Sequence, residues 1–163
     1  MPVLPSAFSP AVVSRVALVN VIVNGLIVVT GGAVRLTASG LGCPGWPKCT
    51  PSSLVVTSEL GWHGEIEYRN RQLTFVLVVV AVATLVAVWR SSRRDLRPLA
   101  VLSVLGIPAQ ALLGGMTVLT GLNPWLVAAH FLLSMALVAV ATTLWLRSRE
   151  PAVGSPLHSA SRM

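Results

Sequence analysis

Four apolar runs, at residues 16–36, 72–89, 98–119 and 125–146, decide what this chain can fold into. A helix rises about 1.5 Å per residue, so about 20 residues cross a hydrocarbon core of roughly 30 Å. Inside lipid the backbone has no water to bond to, and a helix satisfies its own peptide groups. The rest of the composition agrees: of 163 residues 54% are hydrophobic and only 10% are charged, with a mean hydropathy of +0.78. That is too little polar surface to cover a soluble globule. The expected fold is an all-α integral membrane protein, a four-transmembrane-helix bundle made of two helical hairpins. Arg15 precedes the first run as in a signal peptide, but the run is too long for a signal h-region and lacks a small-residue cleavage site, so it is expected to remain as a helix.

The formal charge of +7 comes mostly from arginines at the ends of the apolar runs. Such placement sets topology and carries no nucleic-acid function. Arg15, Arg90, Arg93, Arg94, Arg97, Arg147, Arg149 and Arg162 make eight basic residues on one side, against four on the other: Arg35, Lys48, Arg69 and Arg71. The positive-inside rule then predicts a multi-pass cell-membrane protein with both termini cytoplasmic and a long first extracytoplasmic loop at 37–71. Residues 1–14, with Pro2, Pro5 and Pro10, read as an irregular cytoplasmic tail, and residues 148–163 as a disordered one. His158, in that second tail, is expected to have no role.

The chemistry gathers between Gly31 and Arg71, which hold both cysteines, three of the five acidic residues and one of the three histidines. Cys43 and Cys49 flank Pro44, Gly45 and Pro47, a sequence that has to turn and so brings the sulfurs together. In an oxidising compartment a disulfide is the favoured outcome; a zinc site would need two further ligands, with His63 and a glutamate the nearby candidates. Asn20 and Asn24 share one helix face and are expected to bond to neighbouring helices. Gly31-Gly32-x-x-x-Leu36-Thr37 recurs as Gly114-Gly115-x-x-x-Leu119-Thr120. In each copy the missing side chains admit another helix or a flat ligand close to the backbone.

His130 stands five residues after Trp125, roughly 8 Å down the fourth helix, between AA and FLL. An imidazole in hydrocarbon needs a partner. It is either hydrogen-bonded to a carbonyl or amide of a neighbouring helix or an axial ligand to haem iron. In HGEIEYRNR, at the head of the second helix, His63 and Glu67 lie on one stripe, and Asn70 is placed at a depth similar to His130, suited to holding a ligand between them. Glu67 beside an apolar cavity would serve as an acid, base or radical-stabilising group. A solvated interfacial face is the expectation for Glu65, Arg69 and Arg71.

The order GGAVRLT, SGLGCPGWPKC, IEYRNR, LGGMTVLTGLNP and AAHFLLSM resembles the haem A synthase family, over residues 15–146. The resemblance implies a membrane oxidoreductase that converts the C8 methyl of haem O, its substrate, to the formyl of haem A for cytochrome oxidase. It implies that Cys43 and Cys49 are the family's loop disulfide, Glu67 its essential glutamate and His130 the second histidine of its amino-terminal four-helix half. Asn70 stands where the family has its first histidine, with His63 a displaced substitute. The family's second half, which carries haem b, would come from a homodimer or a partner chain; haem O synthase and cytochrome oxidase are the further partners implied. The alternatives are a non-catalytic four-helix haem protein, acting as electron carrier or assembly factor, and a haem-free transporter or scaffold.

Overall fold

A computed structural model of the chain describes residues 8–151. Among these it contains four long helices and no strand: α1 (Pro10–Leu36), α2 (Gly61–Trp89), α3 (Arg97–Leu119) and α4 (Pro124–Arg149). Each is long and apolar enough to cross a membrane. They pack as a ring, each helix touching the two beside it: α1 meets α2 and α4, and α3 meets α2 and α4. The backbones of the diagonal pairs stay more than 8 Å apart, Cα to Cα, so the bundle has an interior to be filled by side chains or by something else.

Local chemistry sets the helix ends. Ser9 accepts from Val12 N and Pro10 occupies the first turn, so α1 begins within the stretch expected to be irregular tail. Residues 1–7 and 152–163 lie outside the described residues, as do His158 and most of the second tail; of that tail, residues 148 and 149 are helical. Asn123 caps α4 by accepting from Trp125 N at 3.0 Å, with Pro124 beside it. α2 begins at Gly61, so HGEIEYRNR forms the first turns of the second helix and the loop before it is shorter than the expected 37–71. Polar residues keep that segment out of any apolar run, yet nothing in it breaks a helix.

The bundle is solid at one end. There Val13, Ala17, Ala87, Val88, Leu96, Ala100 and Leu144 form one buried cluster, in which small side chains let the helices approach closely. Val23, Leu77, Ala81 and Ile107 form a second, smaller cluster nearer the middle. Asn20 and Asn24 do face inward, but Asn24 Nδ2 donates to Asn20 O (2.8 Å) and Oδ1 (3.1 Å) within α1, not to another helix. A four-apart pair on one helix is already within reach, and it satisfies Asn24 without a partner helix.

The solid end is closed by Arg93, in the connection between α2 and α3. Only 4% exposed, it donates to the carbonyls of Arg147 (2.6 Å), Ser148 (3.2 Å) and Glu150 (2.9 Å) and pairs bidentately with Asp95 through Nε and Nη2. The last carbonyls of α4 have no partners within the helix, and this arginine supplies them. Arg93→Ala is expected to destabilise the bundle by about 3 kcal/mol in a detergent unfolding titration. Arg94→Ala, at an exposed neighbour, should stay within about 0.5 kcal/mol.

Candidate functional site

The other end is hollow. Between the four helices lies a cavity of about 1010 Å³, walled mainly by apolar side chains such as Ile107, Leu137 and Phe75, with Asn24 on its α1 wall. It is at the top of the range of roughly 300–1,000 Å³ usual for small-molecule sites. Both glycine pairs of the repeat line it: Gly31 and Gly32 from α1, Gly114 and Gly115 from α3. A Cβ on Gly114 would stand 3.0 Å from His130 Cε1, and one on Gly115 would collide with the indole of Trp46. On α3, then, the missing side chains make room for an imidazole and a tryptophan.

His130 lines the cavity, and among the described residues neither ring nitrogen makes a hydrogen bond; Nδ1 is fully buried. Gln110 on α3 approaches it but donates to the His130 carbonyl (3.2 Å) and to Ser134 Oγ, leaving the ring alone. Ser134 Oγ donates to the same carbonyl at 3.0 Å. The alternative of a ring satisfied by a neighbouring helix is thus not what forms.

The loop between α1 and α2 covers the cavity. Cys43 and Cys49 are joined by a disulfide and both are buried, so they are not thiolate ligands for zinc. Gly42 presses its backbone onto His63 and Gly64 so closely that any Cβ would strike the His63 carbonyl. Glu67, 5% exposed, accepts from Cys43 N at 2.7 Å through Oε2, while Oε1 takes the guanidinium of Arg71. Arg71 in turn donates to the carbonyls of Gly45 (3.0 Å) and Cys43 (3.0 Å). The two side chains, one turn apart on α2, clamp the stapled loop from both its amide and carbonyl sides. The clamp holds Trp46 and Pro47 in the cavity wall.

Of the residues expected in the site, Glu67 and His130 both line the cavity. Asn70 and His63 do not. Asn70 is turned toward α1, where Thr30 Oγ1 donates to its Oδ1 at 2.7 Å. His63 lies under the loop, with Nδ1 3.0 Å from Ser39 Oγ and its ring against Trp62. Each has a polar partner nearer than the cavity, which is why neither reaches it. Arg71 departs from its expected solvated role, whereas Arg69 and Glu65 form an exposed pair at 2.6 Å. The i,i+4 spacing of Glu67 and Arg71 was the available signal for the clamp; no comparable signal marked Trp46.

A ring of four membrane-crossing helices, solid at one end and with an apolar, loop-covered chamber and an unpartnered histidine at the other, is the architecture of a multi-pass membrane protein. The sequence model of the family described as cytochrome oxidase assembly protein matches residues 14–66 and 64–163, and the chain belongs to that family. Its relatives include proteins named Heme A synthase. That of Bacillus pumilus is 33% identical over 148 residues, 85% of this chain and 47% of its own length. That of Lysinibacillus sphaericus is 34% identical over 125 residues (74% and 39%), and that of Listeria welshimeri 34% over 113 residues (67% and 37%). The chain therefore spans less than half the length of each of these relatives. No solved structure gives a significant match.

Arg71→Ala removes the carbonyl side of the clamp and should raise the rate at which a hydrophilic phosphine reduces Cys43–Cys49 by at least about tenfold, followed by thiol alkylation and mass spectrometry. Arg69→Ala, which breaks only an exposed pair, should change that rate by less than about twofold. Equal rates in the two variants would contradict the clamp.

Proposed function

We propose that the chain is a haem A synthase-like membrane oxidoreductase, which takes haem O into the chamber and serves the oxidation of its C8 methyl to the formyl of haem A for cytochrome oxidase. The supporting observation is His130: an imidazole with no hydrogen bond, against Gly114, on the wall of an apolar chamber. Such a ring is costly in a membrane interior, and iron is a partner that removes the cost. The residues present fit a porphyrin in two further respects. The wall is apolar on the scale of a macrocycle, and Gly31 and Gly32 leave the backbone of α1 accessible to a flat face.

In this reading His130 holds the iron of the substrate, and the redox chemistry comes from the haem itself. Neutral polar side chains line the walls as well, among them Asn24, Gln72, Gln110 and Ser134, and a water admitted to the chamber would supply the formyl oxygen. Glu67 is the one carboxylate lining it, and so the group placed to take up protons as the methyl is oxidised. The electrons leave to a second four-helix unit, a second copy of this chain or a separate half carrying haem b. The loop faces the extracytoplasmic side, with haem O synthase upstream.

The engagement of both Glu67 oxygens, one by the Cys43 amide of the loop and one by Arg71, favours a second reading, in which the chain holds haem without converting it, as an electron carrier or assembly factor. Extraction of haems from membranes expressing the chain beside a haem O source separates the two. Haem A supports the first reading; haem O bound but unconverted supports the second; no bound haem contradicts both. In the first reading Glu67→Ala abolishes conversion and keeps bound haem, and in either reading His130→Ala loses most of the bound haem.

A further inference from the structure

The chamber has a charge that its own residues do not balance. Three charged side chains line it: Arg35, Glu67 and Arg71. Glu67 and Arg71 pair with each other, and Arg71 is further occupied by the carbonyls of Gly45 and Cys43. The Arg35 side chain, on an exposed residue, has no ion pair and no hydrogen bond among the described residues. It leaves the mouth of an otherwise apolar chamber with one uncompensated positive charge.

Its position is specific. Arg35 lies in the last turn of α1, at the loop end of the bundle, whereas His130 lies six residues beyond the start of α4, about 9 Å along the helix from that end. The cation is thus at the rim and the imidazole deeper, on different helices. A ligand that reaches both has a broad apolar body and carries its anionic group on the edge that stays near the mouth. The ordinary role of an arginine here, complementing the carbonyl end of α1 and marking the membrane interface, does not require it to line a cavity.

We infer that Arg35 is the carboxylate-binding residue of the chamber, fixing an amphipathic ligand with its acidic edge at the mouth and its apolar body between the helices. The inference rests on the porphyrin reading above and deepens it, because the edge carboxylates of a porphyrin are the anions presented. A guanidinium binds a carboxylate through two parallel N–H donors, so it sets the ligand's rotation as well as its depth. That rotation decides which edge of the ring meets Glu67 and Trp46. Arg35 is accordingly a positioning and specificity-determining residue.

The test uses the whole chain in detergent and two metal-free probes, protoporphyrin IX and its dimethyl ester, with binding read by porphyrin fluorescence. Without iron, His130 ligation does not contribute, and esterification removes only the anionic charges. Arg35→Gln should weaken binding of the diacid by roughly tenfold and leave the ester within about twofold of its wild-type affinity. Arg35→Lys, which keeps the charge and loses the fork, should recover part of the diacid binding, and Arg69→Gln should bind both probes as the wild type does. If Arg35→Gln weakens both probes equally, or neither, the Arg35 assignment is wrong while the chamber remains a porphyrin site. If the wild type binds neither probe, the Arg35 assignment is wrong, and titration with haem, followed by its Soret band, decides the porphyrin reading separately.

Discussion

A loop laid across the end of an apolar bundle must find partners for its backbone, and here two side chains one turn apart on α2 provide them. Glu67 takes an amide of the loop and Arg71 takes two of its carbonyls, while the pair neutralise each other. A neutral pair of this kind is less costly at a membrane surface than either charge alone, and breaking it leaves the other partner exposed as a poorly solvated ion. With the disulfide closing the loop on itself, the clamp turns a proline- and glycine-rich segment into a fixed wall. Trp46 then fits against Gly115 because α3 has no side chain there.

Packing at the opposite end makes the hollow possible. Alanines draw the helices together around Val13, Val88 and Leu144, and Arg93 ties the connection between α2 and α3 to the last turn of α4. Helices held firmly at one end can stay apart at the other without collapsing, as the cavity between them requires. The two glycine pairs fall at equivalent positions in α1 and α3, bare on the α1 wall and covered by His130 and Trp46 on the α3 wall. The repeat in the sequence is therefore a repeat of the chamber's walls.

Hydropathy made the four helices legible because lipid imposes one rule on every residue of a span. The disulfide was legible because Pro44, Gly45 and Pro47 leave its loop little choice but to turn. The start of α2 was legible only in part: Glu65, Glu67, Arg69 and Arg71 hide its first turns from a count of apolar residues, and only their helical spacing marks HGEIEYRNR as the head of the helix. Asn70 and His63 were misplaced for a different reason. Helical spacing gives a residue's face but not its partner, and Thr30 and Ser39, distant in sequence, claimed them. Arg35 and Trp46 owe their places to tertiary contact with the cavity, which periodicity does not report.

Everything proposed for this protein turns on whether iron sits beside His130. Diffraction from the haem-loaded chain at the iron absorption edge locates the metal without reference to activity. The account predicts a single anomalous peak inside the chamber, within bonding distance of a His130 ring nitrogen. Iron on the lipid-facing surface, or in the chamber but away from His130, would contradict it.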